Sequence, residues 1–165
     1  MSDHIIIVSG LPRSGTSLLM QMLAAGGVQP LTDGTRAPDV DNPNGYFEFE
    51  RVKGLPGDTA WLDEARGKVV KVIHRLVIQL PEGRSYKVVF VERDLDEVIA
   101  SQAKMLARLG KAGGGLAPER LKAIFAQEKE RILASIEARA DLELLRVPHA
   151  GLISDPSEQV ARINT

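Results

Sequence analysis

The stretch His4-Ile5-Ile6-Ile7-Val8-Ser9-Gly10-Leu11-Pro12-Arg13-Ser14-Gly15-Thr16-Ser17 carries the strongest structural signal in this chain. Its β-branched first half predicts a buried parallel strand over residues 5–9. The loop bounded by Gly10 and Gly15 leads into a helix that we expect to begin at Gly15 or Thr16. A loop of this kind points backbone N–H groups and the positive end of a helix dipole at an anion. The stretch therefore predicts a binding site for a phosphate-like group.

One position separates this loop from the nucleotide-triphosphate P-loop, G-x-x-x-x-G-K-[ST]. Thr16 stands where that motif has the lysine that reaches the β- and γ-phosphates. Arg13 supplies a cation inside the loop instead, and its guanidinium can bind two oxyanion oxygens at once. Ser17 keeps the hydroxyl that holds Mg²⁺ in P-loop enzymes. A P-loop nucleotide kinase or NTPase therefore stays open as an alternative at this point.

The bulk composition narrows the class of protein. A length of 165 residues predicts a single domain over residues 1–165. A formal net charge of -1 argues against nucleic acid as a partner. No cysteine is present, which excludes a thiol nucleophile and fits a cytoplasmic protein. We find neither a signal peptide nor an apolar run long enough to span a membrane.

Strand and helix signals alternate along the rest of the chain. We expect strands at 68–74, 86–92 and 142–147, and helices at about 94–110, 118–140 and 156–163. Residues 30–60 are rich in proline and turn signals, which predicts an irregular excursion with a short helix around 48–54. The glycines at 113–115 predict a flexible connector. The alternation predicts an α/β fold, a P-loop-type three-layer sandwich with a central parallel sheet flanked by helices.

A second pair of polar residues follows the strand expected at 86–92. Arg93 comes directly after that strand, and Ser101 lies about two turns into the next helix. Ligands of open α/β sheets bind at the carboxyl ends of the strands. Both side chains could therefore hold another anionic group beside the first loop.

Together, these two motifs resemble those of the sulfotransferase family. The family's loop for the 5′-phosphosulfate has a basic residue before Ser-Gly-Thr, as Arg13 precedes Ser14-Gly15-Thr16 here. Its 3′-phosphate motif has the eight-residue spacing that separates Arg93 from Ser101. The stretches 41–48 and 95–102 are also similar to bacterial sulfotransferase-like proteins.

The resemblance implies a sulfotransferase whose donor is 3′-phosphoadenosine 5′-phosphosulfate and which requires no metal. It implies that two groups of residues bind the donor: Arg13, Ser14, Gly15, Thr16 and Ser17 at the phosphosulfate, and Arg93 and Ser101 at the 3′-phosphate. The sulfuryl group would pass to a hydroxyl or amine of a small molecule, glycan or lipid. Family members usually carry a further C-terminal segment beyond the point where this sequence ends, so a non-catalytic nucleotide-binding relative stays open as well.

Sulfuryl transfer also needs a base for the acceptor proton. His74 is expected to end the strand at 68–74 and face the ligand, and histidine suits proton transfer near neutral pH. Several sulfotransferases have K-x-H at a strand end, whereas Lys71 and His74 are spaced K-x-x-H and would point to opposite faces without a bulge. Glu48 and Glu50 are the alternatives, because other branches of the family use a glutamate. Aromatic residues in or beside the excursion could line an acceptor pocket: Tyr46, Phe47, Phe49 and Trp61.

Overall fold

A parallel sheet forms the centre of the protein. A computed structural model describes residues 3–111 and 115–164. In this part of the chain, the strands are β1 (Ile5–Gly10), β2 (Val69–Lys71), β3 (Tyr86–Glu92) and β4 (Leu142–Pro148). They follow the order β2-β1-β3-β4, and every pair is parallel. The carboxyl ends of all these strands therefore lie at one edge of the sheet, with β1 between two neighbours.

Helices cover both faces of this sheet, as a parallel sheet requires. They are α1 (Thr16–Ala25), α2 (His74–Val77), α3 (Leu95–Arg108), α4 (Pro118–Glu137), α5 (His149–Ser154) and α6 (Pro156–Ile163). Short 3₁₀ helices span Glu50–Gly54 and Ala60–Leu62. The three-layer α/β fold expected from the alternating pattern is confirmed. Helix α5 was not among the predicted elements.

Two hydrophobic clusters, one on each face of the sheet, make up most of the core. Because strand side chains alternate between faces, Val88 and Phe90 pack with Ile132 of α4, while Val89 packs with Leu19 of α1 on the other face. Each of these side chains is almost fully buried. Burial of one such side chain is worth about 1.5–3 kcal/mol. The sheet therefore holds the loop after β1 and the start of α1 on a rigid base.

The segment between α1 and β2 is irregular, as the prolines and turn signals predict. Its start bonds to the sheet, since the N–H of Leu31 donates to the carbonyl of Val69 at 2.8 Å. The 3₁₀ helix at Glu50–Gly54 confirms the short helix predicted around 48–54. Trp61 is fully buried in the core, and its Nε1 donates to the carbonyl of Asp58 at 3.0 Å. The prediction that Trp61 could line an acceptor pocket is therefore wrong.

The strand predicted at 68–74 is shorter than expected, because β2 ends at Lys71. The N–H of Val72 still donates to Val8 at 3.0 Å, but His74 is the first residue of α2. β1 continues two residues beyond Val8, the partner of Lys71, but the carbonyl of Val72 accepts from the side-chain hydroxyl of Ser9 at 2.7 Å, and the chain then turns into α2. His74 at a strand end is therefore a wrong prediction. Residues 112–114, which include most of the predicted glycine connector, lie outside the described residues.

Candidate functional site

The loop between β1 and α1 turns tightly around one carbonyl group. The N–H of Ser14 donates to the carbonyl of Leu11 at 3.2 Å, and its hydroxyl donates to the same oxygen at 2.6 Å. Arg13 has a φ of 63° and Gly15 a φ of 99°, so both lie in the left-handed region. Ser14 is buried, and its two hydrogen bonds to Leu11 stabilise the turn of the loop. Arg13 is thereby turned outward from a fixed backbone.

The N-terminus of α1 opens at this loop. Its N-cap is Gly15, which has no side chain to cap the helix, and its first turn contains no acidic residue. The first N–H groups of a helix have no intrahelical partner, and the helix dipole adds positive potential at the same place. The Gly15–Ser17 backbone is therefore suited to an anion, as the motif predicts.

Both glycines of the loop lie too close to neighbouring atoms for a side chain. A Cβ on Gly10 would lie 2.8 Å from the carbonyl oxygen of Val91, and one on Gly15 would lie 2.5 Å from Cδ2 of His149. His149 begins α5, directly after β4, and so covers the loop from the carboxyl edge of the sheet. Burial and the nearby Arg93 lower its pKa. Sequence reasoning missed His149, although its place after a strand end is the same signal that singled out Arg93.

The two predicted anion motifs meet in the structure. Arg13 Nε donates to Ser101 Oγ at 3.0 Å, across 88 residues of sequence. Arg93 Nη1 donates to the carbonyl oxygen of Arg13 at 3.0 Å, and its Nε donates to Glu97 at 2.9 Å. Asp94 caps α3 by accepting from the N–H of Glu97 at 3.1 Å, which fixes the helix that carries Ser101. The loop, the end of β3 and helix α3 thus form one hydrogen-bonded unit.

Lys71 brings a further cation to the same place from the neighbouring strand β2. Its Nζ donates to Ser17 Oγ at 2.9 Å and to the carbonyl oxygen of Tyr46 at 2.8 Å. Burial lowers the pKa of Lys71 to about 8. Across residues 3–111 and 115–164, neither Lys71 nor Arg13 forms an ion pair with a carboxylate. The sequence does not assign Lys71 to the anion site, because only the parallel pairing of β1 with β2 puts it beside α1.

A cavity of about 530 Å³ opens over this cluster. Most of the predicted site residues line it: Arg13, Gly15, Thr16, Ser17, Glu48, His74 and Arg93. Ser14, Ser101 and Glu50 are not among its lining residues. Apolar side chains line the rest of the wall, among them Val52, Ile73 and Met105. The glycine-bounded loop and apolar side chains therefore line one continuous cavity.

His74 lines the cavity next to Val72 and Ile73. Only 3% of it is exposed, and within the described residues neither ring nitrogen has a hydrogen-bond partner. Its Nε2 lies 3.5 Å from Oε2 of Glu128, which belongs to α4. Burial lowers the pKa of His74, and the carboxylate of Glu128 opposes this effect. A neutral imidazole in such a place is able to accept a proton.

The other two base candidates differ in position. Glu48 lines the cavity and accepts a hydrogen bond from Arg36 Nη1 at 2.8 Å. The same guanidinium lies 3.3 Å from the ring centroid of Tyr46. Glu50 pairs with Lys53 Nζ at 2.7 Å and does not line the cavity. Glu48 is therefore the only one of these two glutamates within reach of a ligand in the cavity.

The aromatic residues predicted to line an acceptor pocket divide between cavity and core. Tyr46 and Phe49 line the cavity. Phe47 packs against the cluster that includes Leu19, and Trp61 is buried on the opposite face of the sheet. An ion pair between Asp41 and Arg108, 2.5 Å apart, ties the excursion to α3 beside the cavity. The irregular segment between α1 and β2 thus forms one wall of the cavity.

Neither a metal cluster nor a membrane-spanning helix is found in the part of the chain that the structure describes. Among residues 3–111 and 115–164, no three histidine, aspartate or glutamate side chains lie close enough together to hold a metal ion. No helix in the same residues combines the length and the apolar character needed to cross a bilayer.

Known structures share this architecture at low sequence identity. A sulfotransferase domain from the curacin biosynthetic pathway aligns over 97% of this chain and 72% of its own, with a TM-score of 0.57 and 17% identity. A sulfotransferase from Alicyclobacillus acidocaldarius aligns over 99% of this chain and 80% of its own, with a TM-score of 0.55 and 14% identity. The fold is sulfotransferase-like. A sugar kinase from Janibacter sp. HTCC2649 aligns more loosely, with a TM-score of 0.46 and 15% identity over 99% of this chain and 92% of its own. No protein-family model and no curated protein matches the sequence.

The contact between Gly15 and His149 generates a stability prediction. We expect Gly15→Ala to lower the free energy of unfolding by about 2–4 kcal/mol, because a strained φ and a collision with the imidazole add together. Gly27 is a matched control, since its φ is 92° but no atom lies within 4 Å of the position that a Cβ would take. Gly27→Ala should cost only about 1 kcal/mol in urea denaturation.

The double variant Gly15→Ala/His149→Ala isolates the collision. We expect it to recover part of the loss, because the alanine side chain at 149 leaves room for the new Cβ. Equal losses for Gly15→Ala and Gly27→Ala would show that the imidazole does not constrain the loop.

Proposed function

We propose that this protein is a sulfotransferase that moves a sulfuryl group from 3′-phosphoadenosine 5′-phosphosulfate to a hydroxyl or amine. One observation carries the proposal. Arg13 and Lys71 converge on the loop, and in the described residues neither forms an ion pair with a carboxylate, although the charge of Glu48 acts on Lys71. A buried or half-buried cation is costly without an opposite charge. An anionic ligand in the cavity would supply that charge.

The donor has two anionic ends, and the site has two groups of residues suited to them. The N–H groups at Gly15, Thr16 and Ser17, with Arg13 and Lys71, would bind the phosphosulfate. Arg93 and Ser101 would bind the 3′-phosphate. Support for this assignment comes from the hydrogen bonds that join Arg13 to both residues, because they keep the two anion sites adjacent. Ser14 would not contact the donor but would stabilise the conformation of the loop that binds it.

The reaction needs little from the protein beyond charge and orientation. The acceptor oxygen or nitrogen would attack the sulfur, and the bond from sulfur to the bridging oxygen would break, which leaves adenosine 3′,5′-bisphosphate. Lys71 and Arg13 would stabilise the negative charge that develops on the bridging oxygen. The acceptor proton would pass to His74, whose lowered pKa keeps the imidazole neutral at pH 7.

The kinase or NTPase alternative requires Ser17 as a ligand of Mg²⁺. The hydroxyl of Ser17 instead accepts a hydrogen bond from the ammonium group of Lys71. A divalent cation bound to the same oxygen would lie beside that positive charge, which is unfavourable in a partly buried site. This contact favours a reaction in which a protein cation, and no metal, stands at the first turn of α1.

Calorimetric titration tests the donor site. We expect the protein to bind adenosine 3′,5′-bisphosphate, and Arg93→Ala to weaken that binding by about 1.5–3 kcal/mol through loss of a charge-assisted contact. Arg146→Ala is the matched control, because Arg146 is an exposed arginine on β4 that pairs with Glu92 at 2.8 Å. Preference for ATP with Mg²⁺ over the bisphosphate would overturn the proposal, and an unchanged affinity in Arg93→Ala would overturn the 3′-phosphate assignment.

The pH dependence of the same titration tests Lys71. Because its pKa is about 8 in the free protein, the ammonium group is charged below that pH and neutral above it. Bisphosphate affinity should therefore fall as pH rises through 8, by at most about tenfold for each pH unit. Lys71→Arg should remove this dependence between pH 7 and 9.5, since arginine stays protonated. A wild-type affinity that is constant over that range would place Lys71 outside the anion site.

Turnover with a radiolabelled sulfate donor tests the base. The acceptors are a phenol, a monosaccharide, a long-chain alcohol and a primary amine, tried separately. We expect His74→Gln to lower kcat by about 10²–10⁴, as for loss of a positioned base, while bisphosphate affinity is unchanged. Glu48→Gln is the matched control from the same cavity. A large loss confined to Glu48→Gln would reassign the base to Glu48.

A further inference from the structure

Behind the cavity wall at His74 lies a charged cluster that the donor site does not involve. It consists of His74 and Arg75 at the start of α2 and Glu128 in the middle of α4. Oε2 of Glu128 accepts from Arg75 Nη2 at 3.1 Å and lies 3.5 Å from His74 Nε2. Its other oxygen accepts from Arg75 Nε. One carboxylate therefore lies between a guanidinium and an imidazole.

The position of Glu128 on its helix is unusual. The inward face of α4 is apolar at Phe125, Ile132 and Ile136, and the spacing of these residues places Glu128 on the same face. Only 9% of Glu128 is exposed. An ion pair with Arg75 does not require this burial, because the arginine side chain is itself 64% exposed and could meet a carboxylate at the surface. The buried position of Glu128 brings its carboxylate next to His74, which a carboxylate at the surface would not reach.

We infer that Glu128 is a positioning residue for His74, whose Nε2–H it accepts so that Nδ1 is left as the nitrogen that takes the acceptor proton. This inference rests on the proposed function. The distance of 3.5 Å is longer than a hydrogen bond, but such contacts at reactive groups commonly shorten when the ligand is bound. When Nδ1 takes up the proton, the ring becomes an imidazolium that keeps its proton on Nε2. The carboxylate of Glu128 then stabilises the new positive charge.

Arg75 has the opposite effect on the same ring. Burial lowers the pKa of His74, Glu128 raises it, and the charge of Arg75 adds to the lowering. Within residues 3–111 and 115–164, the charged groups that act on the imidazole are Glu128 from α4 and Arg75 from its own helix. Arg75 also donates hydrogen bonds to both oxygens of the Glu128 carboxylate, and its positive charge offsets part of the negative charge there. The basicity of His74 is thus set by a balance between two neighbours of opposite sign.

This balance makes predictions of opposite sign for two substitutions that each remove one charge. We expect Glu128→Gln to lower the pKa of His74 and Arg75→Gln to raise it. Nuclear magnetic resonance titration of the imidazole measures both without any substrate, and only His4, His74 and His149 need to be distinguished. The spectrum of His74→Gln assigns the signal. Glu130→Gln is the control, because it removes an exposed carboxylate from the same helix and should leave the titration of His74 unchanged.

The activity assay gives a second readout. Glu128→Gln should reduce kcat by about tenfold. This loss is smaller than the factor of about 10²–10⁴ that a positioned base contributes to the rate, because the base itself remains. The acid limb of its pH profile should move to lower pH, in the same direction as the titration. Arg75→Gln should move that limb to higher pH.

Several outcomes would overturn the inference. If Glu128 only ties α4 to α2, both variants lose stability while the titration of His74 keeps its midpoint or moves in the same direction in each. Should Glu128→Gln fail to fold, Arg75→Gln alone decides, because Arg75 is mostly exposed and an unchanged His74 pKa there contradicts the coupling. Titrations that behave as expected in a protein without turnover would refute the proposed function and leave the Glu128–His74 coupling intact.

Discussion

The position of β1 between β2 and β3 is the constraint on which the candidate site depends. Parallel pairing brings the carboxyl ends of these strands to one edge, where β1 continues into the glycine-bounded loop. The same pairing places Lys71 at the end of β2 and Arg93 after β3, on either side of that loop. Residues far apart in the sequence therefore meet because each lies at or just beyond the end of its strand. An antiparallel neighbour would have carried either cation to the opposite edge.

Ionisable groups in unfavourable surroundings cluster at the candidate site. Lys71 is buried deeply enough to lower its pKa to about 8, and Glu128 occupies an apolar face of α4. His74 has no hydrogen-bond partner for its ring within the described residues. Each of these positions costs folding free energy that an apolar side chain would not. Lys71 and His74 line one cavity and Glu128 lies behind its wall at His74, which is the reason to interpret them as parts of a candidate ligand site.

The local elements of the site could be predicted from sequence because their signals are local. The strand over residues 5–9, the glycine-bounded loop and the helix from Thr16 are confirmed, and so is the pair formed by β3 and α3. Arg93 and Ser101 follow from the boundaries of those two elements. The shorter β2 could not be predicted, since its end depends on a contact between strands, the hydrogen bond from the Ser9 hydroxyl to the carbonyl of Val72, and on the turn into α2. His74 consequently lies in a helix and faces Glu128, a partner from a helix distant in sequence.

The amino-acid sequence by itself determined the α/β class, the glycine-bounded loop with Arg13 inside it and Thr16 at the position of the P-loop lysine, and the order of the two candidate anion motifs. These features depend on periodicity, glycine conformation and short spacing, which act over one or two neighbouring elements. Only the tertiary structure decided that Lys71 joins the loop, that His149 covers Gly15, and that Glu128 meets His74. Each of those contacts joins separate elements, and its distance depends on strand order, register and helix packing rather than on any local pattern.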